Sequence, residues 1–273
     1  MALYDYQGNI VSQDGDITIN VEGNGATDYD KIVKGIAHRG YGTAPENTLP
    51  AYKLAKQMGF NYVECDVRFT SDGYAMLLHD TTIDRTSNSS GTLSQMTYAQ
   101  VRQYDFGSWK SATYTGTVIP TFEEFISLCR SIMLCPYVEL KEATEAQVQN
   151  LVNLVSSYNM NEHVTWISSN TTYLGYVKNY DATARLGCVG APTSSRITAM
   201  QNLKTANNEV FIDSSSLTDD SVALCKNANL PMEVWTIDNA STIISANPYI
   251  SGFTSNLLIA GKVLYENELP QGE

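Results

Sequence analysis

A chain of 273 residues with 43% hydrophobic content can bury a sizeable core and has the length of a single (β/α)8 barrel, which excludes global disorder. Its 29 acidic residues outnumber 17 basic ones, for a formal net charge of −12, a field that repels nucleic-acid phosphates and anionic membrane surfaces alike. An anionic substrate therefore needs a local reversal of sign, for which a bound divalent cation is the simplest device.

The chain start, Met1-Ala2-Leu3-Tyr4-Asp5-Tyr6, shows neither the basic nor the apolar region of a signal peptide, and no apolar run reaches the about eighteen residues of a membrane span. Residues 1–34 alternate apolar and polar side chains (Ile17-Thr18-Ile19-Asn20-Val21) between the turn signals Gln7-Gly8-Asn9, Asp14-Gly15-Asp16 and Gly23-Asn24-Gly25. They read as a β-like lead-in to one domain over 35–273. No chemistry is visible in it, and an attachment role leaves room for surface or phage association.

From Ile36 a strand–helix alternation sets in. Short β-branched runs predict strands at 35–38, 61–66, 137–141, 164–168, 184–189, 209–213, 233–237 and 250–254. Helix-compatible stretches follow each in turn, at 48–58, 121–132, 145–157, 172–179, 194–205, 219–227, 240–246 and 256–264. Eight strands each followed by a helix predict an α/β TIM barrel. Two segments stand outside this count. Residues 67–79 read as a hairpin, and a turn centred on Asp72-Gly73 sets His79 opposite Asp66. Residues 81–118 read as a long functional insertion whose aromatics, Tyr104, Phe106, Trp109 and Tyr114, form a small local core. The five cysteines, Cys65, Cys129, Cys135, Cys188 and Cys225, are odd in number and lack any C-x-x-C, so they read as core hydrophobes in a soluble, reduced protein, with the cytoplasm favoured.

Active sites of such barrels lie at the C-terminal strand ends. There the chain places His38-Arg39, Glu64 and Asp66, His79-Asp80, Glu139 and Lys141, and Trp235. The third histidine, His163, precedes its strand and belongs to the opposite end. The i, i+2 spacing of Glu64/Asp66 and of Glu139/Lys141 points both members of each pair to one side of a strand, here the lumen. Three converging carboxylates need a counter-charge, and oxygen ligands suit Mg²⁺ or Ca²⁺. Two imidazoles beside a hard cation, with Arg39 and Lys141 near, suit displacement at a phosphate ester: one takes a proton from the attacking group, the other gives one to the leaving alkoxide. Spacing does not say which does which.

In order along residues 36–256, His38-Arg39-Gly40, Ala44-Pro45-Glu46-Asn47-Thr48, Glu64-Cys65-Asp66-Val67, Asp72-Gly73, Leu78-His79-Asp80, Arg85-Thr86, Ile119-Pro120-Thr121, Glu139-Leu140-Lys141 and Trp235-Thr236 resemble the glycerophosphodiester phosphodiesterase family. The resemblance implies a barrel with an inserted loop after the second strand. It implies hydrolysis of glycerophosphodiesters to an alcohol and glycerol 3-phosphate, the glycerol hydroxyl attacking phosphorus and water opening the cyclic phosphate. By position it implies a divalent metal on Glu64, Asp66 and Glu139, an acid/base pair in His38 and His79, phosphate contacts from Arg39 and Lys141, and a pocket wall from Trp235. Glu46 is expected to support the metal or His38. The family commonly ends its last strand in Thr-Asp-x-Pro, whereas this chain has Thr254-Ser255-Asn256-Leu257, so a supporting or lid contact of the missing acid is in question.

The expected partner is a small phosphodiester, with a polyglycerol-phosphate (teichoic) chain as the alternative, and neither nucleic acid nor membrane insertion. A sphingomyelinase D or lysophospholipase D shares the two-histidine, three-acid layout but needs an apolar lipid-facing surface that no segment here supplies. A non-catalytic phosphoglycerol-binding module would be expected to have lost one of these residues, and all are present.

Overall fold

Parallel strands are buried on both faces, and the strand residues here are largely buried whether apolar or polar. The computed structural model describes residues 31–204, 210–214, 218–238 and 250–256, with three short strands nearer the N-terminus. Those three are β1 (Leu3–Tyr4), β2 (Ile10–Ser12) and β3 (Ile17–Ile19). Next come β4 (Lys31–Ala37), α1 (Leu49–Gln57), β5 (Tyr62–Phe69), β6 (Ala75–Leu77), α2 (Tyr98–Val101), α3 (Phe122–Ile132) and β7 (Cys135–Leu140). The chain continues through α4 (Glu145–Ser157), β8 (Thr165–Ser168), α5 (Thr171–Tyr180), β9 (Arg185–Val189), α6 (Ser194–Leu203), β10 (Val210–Ser214), α7 (Asp219–Asn227), β11 (Met232–Val234) and β12 (Ile250–Ser255).

Strands β4, β5, β7, β8, β9, β10, β11 and β12 pair in parallel in that order, and β12 returns to β4, so the sheet closes on itself. This is the predicted α/β TIM barrel. Its first strand starts at Lys31, ahead of the boundary at residue 35 read from the sequence, and β3 pairs with it antiparallel. The helix expectation at 240–246, and that at 256–264 from residue 257 onward, lie outside the described residues. Among those described, no helix is long and apolar enough to cross a membrane.

Strand periodicity sorts side chains between two cores. Val63, Cys65 and Val67 on β5, and Val138 and Leu140 on β7, face the helices and join the outer core. Phe122, Phe125, Ile126 and Cys129 of α3 meet them there, a spacing of three and four that lays one helical stripe on the sheet. Each such side chain gains about 1.5–3 kcal/mol by leaving water. The start of α3 is fixed by a capping box, Thr121 accepting from the Glu124 backbone N–H while the Glu124 carboxylate accepts from the Thr121 N–H. The alternate residues point into the lumen, where Ile36, Tyr137, Ile167 and Val189 pack with Tyr62 and Trp235 as a floor.

The hairpin differs from expectation by one residue. Val67 pairs with Leu77 and Phe69 with Ala75, and the Leu78 N–H donates to the Asp66 carbonyl, so Leu78, not His79, stands opposite Asp66. The cause is an odd-numbered connection over 70–74. The Thr70 hydroxyl bonds both Asp72 Oδ1 and the Tyr74 N–H, and Gly73 at φ 86° supplies the left-handed residue. Leu78 thereby joins Met76, Ile83, Leu93, Val101, Phe106 and Ile119 in a second core that belongs to the insertion. Tyr104 packs against it, whereas the Trp109 indole is half exposed and donates to the Phe106 carbonyl. Asp105 draws the loop around itself, accepting from the N–H groups of Gly107 (2.7 Å), Ser108 (3.1 Å) and Gly116 (3.0 Å). None of the five cysteines is in a disulfide. Four are buried, while Cys135 is only partly so and lies 3.9 Å from Nδ1 of His163.

Candidate active site

The first strand ends in a turn that doubles back over the barrel mouth. Arg39 (φ 53°) and Gly40 (φ 90°) are both left-handed, and a Cβ on Gly40 would stand 2.6 Å from that of Ala51, so only glycine serves there. The strained Arg39 is held from several sides. Its N–H donates to Glu64 Oε2 (3.0 Å), its Nε lies 3.1 Å from Asp66 Oδ2, and its Nη1 donates to Glu46 Oε1 (3.0 Å).

Parallel pairing sets Glu64 beside Tyr137 and Asp66 beside Glu139 on the lumen face. Ligand oxygens of Glu64, Asp66 and Glu139 all lie within 4.8 Å of one another. Lys141 Nζ reaches Asp66 Oδ1 (2.9 Å) and Glu139 Oε2 (2.6 Å). Asn47 donates from Nδ2 to Asp66 Oδ2 (2.8 Å), and its Oδ1 accepts from the Tyr52 hydroxyl and the Asp66 N–H.

Two positive side chains do not satisfy three acids, of which Glu64 and Asp66 are buried and Glu139 partly so. Burial, then the charges of Asp66 and Glu139, push Glu64 well above the usual carboxylate range, against the pull of Arg39 and Lys141. Burial likewise raises Glu139, with Lys141 opposing and Asp66 reinforcing. Burial works the same way on Asp66, yet Lys141, then Arg39, bring it down to about 2. The cluster thus holds more carboxylate than its own cations neutralise. A hard divalent cation suits this donor set, and the three carboxylates are the residues that could hold it.

The two histidines flank the acids with different partners. His38 Nδ1 is 3.0 Å from Asn256 Oδ1, and its Nε2 is 4.0 Å from Glu64 Oε2; burial and the neighbouring Arg39 charge lower its pKa. His79 Nδ1 is 2.7 Å from Asp80 Oδ1, and its backbone carbonyl accepts from Arg68 Nε (2.8 Å). One cavity is lined by His38, Arg39, Glu64, His79, Glu139 and Lys141, with Ile167, Val189, Trp235 and Thr254 completing the wall. The buried Trp235 indole N–H has no protein partner among the described residues.

The residues assigned to the site from the sequence therefore stand together at this mouth, but Glu46 makes other contacts than expected. It bonds neither the acid cluster nor His38. Its carboxylate lies between two guanidiniums, Arg39 on the cavity side and Arg85 from the insertion (2.7 and 2.8 Å), because the Pro45-Glu46 turn stands at the rim. Arg85 also donates through Nε to Asp80 Oδ2 (2.7 Å), and that bond first of all brings Asp80 to about 2. Sequence reasoning gave Arg85 and Asn47 no role, although both stand in the quoted motifs. At the end of the last strand, where the family's usual acid is missing, Asn256 Oδ1 contacts His38 Nδ1.

A model described as the glycerophosphoryl diester phosphodiesterase family matches residues 38–250. A probable glycerophosphodiester phosphodiesterase 1 of Mycobacterium tuberculosis is 40% identical over 109 residues, 36% of this chain and 40% of that protein. A glycerophosphodiester phosphodiesterase of Caldanaerobacter subterraneus subsp. tengcongensis is 31% identical over 156 residues, 56% of this chain and 64% of the relative. The matched stretches thus span about two fifths to two thirds of those relatives' lengths. The structure of an Oleispira antarctica phosphodiesterase in complex with the product sn-glycerol-3-phosphate superposes with a TM-score of 0.73 at 26% identity, covering 86% of this chain and 97% of that one.

Proposed function

The chain belongs to the glycerophosphoryl diester phosphodiesterase family, and from that premise we propose that it hydrolyses glycerophosphodiesters to glycerol 3-phosphate and an alcohol. The carrying observation is that three clustered carboxylates, Glu64 and Asp66 buried and Glu139 partly so, meet two imidazoles and two cationic side chains around one cavity at the strand ends. Glu64, Asp66 and Glu139 would hold one divalent cation, which when bound supplies Lewis-acid neutralisation of phosphoryl charge. Mg²⁺ and Ca²⁺ both suit three carboxylates.

Within that cavity Arg39 and Lys141 present positive charge to the non-bridging oxygens of the diester. Held by Glu46, Asp66 and Glu139, they are oriented before substrate arrives, so little reorganisation accompanies the reaction. Trp235 walls the site, and its indole N–H is free to donate to a substrate oxygen. His38 and His79 move the protons: one imidazole accepts that of the attacking glycerol hydroxyl, and the other donates to the departing alkoxide. The cyclic phosphate left behind is opened by water with the two roles reversed, which regenerates both side chains.

Release of glycerol 3-phosphate from glycerophosphocholine, glycerophosphoethanolamine and a poly(glycerol phosphate) chain, each assayed after chelation and with Mg²⁺ or Ca²⁺ restored, tests this reading. We expect cation-dependent release from at least one of the three, and the ranking identifies the leaving alcohol. Turnover confined to the small diesters removes the polymer alternative. Absence of release from all three removes the proposal.

A further inference from the structure

The Nδ1 atom of His38 faces an amide whose orientation is decided one bond further out. Asn256 Nδ2 donates to Asp238 Oδ2 at 2.5 Å, and a carboxylate only accepts. The amide nitrogen must therefore face Asp238, which turns Oδ1 toward His38, 3.0 Å away. The other oxygen of the same carboxylate accepts from the Asn256 N–H (2.8 Å) and the Ser255 hydroxyl (3.1 Å). From the opposite side, the His38 N–H donates to the Ser255 carbonyl (2.8 Å) and the Gly42 N–H to the Asn256 carbonyl (2.7 Å). Residues 255 and 256 are thus tied both to the loop bearing His38 and to Asp238. An acceptor opposite Nδ1 requires a hydrogen on Nδ1, and a neutral imidazole has only one. Nε2 is then bare, and it is the nitrogen nearer the acid cluster, 4.0 Å from Glu64 Oε2.

We propose that Asp238 and Asn256 act together as positioning residues that lock His38 in the Nδ1-protonated tautomer, so that Nε2 enters the reaction as a proton acceptor. The inference rests on the phosphodiesterase reading for its kinetic consequence, though not for the tautomer itself. The pair also joins two parts of the site. Asp238 follows Trp235 in the loop after β11, so one segment both walls the cavity and orients the imidazole. The contact left in question by the missing acid at the end of the last strand is carried by one acid and one amide, with the acid on the neighbouring loop.

That division of labour is testable by exchange. Asp238→Asn leaves one amide oxygen where two carboxylate oxygens now accept, and Asn256→Asp sets two carboxylates against each other; both free or charge the partner of Nδ1. The double variant Asp238→Asn/Asn256→Asp keeps every donor opposite an acceptor and leaves the net charge unchanged. We expect each single variant to lose about 10²-fold in kcat with KM within about twofold, and the double variant to regain most of the loss. The ring ¹⁵N resonances of His38, assigned in a protein with three histidines by comparison with His38→Gln, should show Nδ1 carrying the proton in the wild type and in the double variant. A proton on Nε2 in the wild type, an undiminished kcat in Asp238→Asn, or a double variant no better than the weaker single one would overturn the proposal. If the wild type releases no glycerol 3-phosphate at all, the functional reading fails instead, and the ¹⁵N resonances still decide the tautomer.

Discussion

The barrel mouth and the inserted segment over 81–118 are built on opposite principles, although they meet at Arg85. At the mouth, charged side chains are buried and hold one another: Asp66 alone is engaged by Arg39, Lys141 and Asn47. In the insertion the organising carboxylate, Asp105, is only partly buried and binds backbone N–H groups of its own loop. Change at the mouth should therefore act on chemistry, and change in the insertion on local order. The charge network crosses between them along one line, from His79 through Asp80 and Arg85 to Glu46 and Arg39.

The sharpest contrast comes from deleting an imidazole. His79→Ala should lower kcat by about 10²–10⁴-fold, with thermal stability unchanged because the ring is more than a third exposed. A stopped assay alongside a melting curve checks both halves. Arg85→Met should show the crossing: it leaves the cluster intact but frees Asp80, so kcat is expected to drop by about tenfold while cation binding is unaltered. Equal loss of cation affinity would mean that the two regions are not separable. Phe106→Ala, in the insertion core, should cost about 3 kcal/mol of local stability, read as faster proteolysis within 81–118 while the barrel remains folded.

The smallest effect concerns acid. The N–H groups of Gly116, Gly107 and Ser108 hold Asp105 at about 2, below its ordinary 3.8. A depressed carboxyl contributes its stability fully above the unfolded value and loses it as pH falls toward the folded one. Amide protection over 105–117 should therefore decline between about pH 4 and pH 2, and Asp105→Asn should remove that step. A transition in that window that persists in the variant would assign the loop's order to something else.

The same contrast explains what was legible in the sequence. Strand periodicity alone placed Glu64, Asp66, Glu139 and Lys141 in the lumen, since parallel register leaves little freedom once the β-branched runs are located. The helix over 145–157 was equally plain, its apolar residues recurring at Val148, Leu151, Val152 and Val155. What escaped depends on side chains meeting at long range or on turn length. The hairpin register hinged on whether the Thr70 hydroxyl would widen the turn, and a one-residue change exchanged the positions of Leu78 and His79. The contacts of Glu46 are not legible from its motif, because its second guanidinium, Arg85, is 39 residues away. Asn256 reads in sequence only as a missing acid, because the carboxylate it bonds, Asp238, lies on a different strand's loop.

Whether Glu64, Asp66 and Glu139 hold a single divalent cation at the mouth is decided by calorimetric titration of chelator-treated protein with Mg²⁺ and with Ca²⁺. We expect one site per chain, abolished in Asp66→Asn and restored nowhere else on the molecule. Undiminished binding in that variant, or full glycerol 3-phosphate release by cation-free protein, would contradict it.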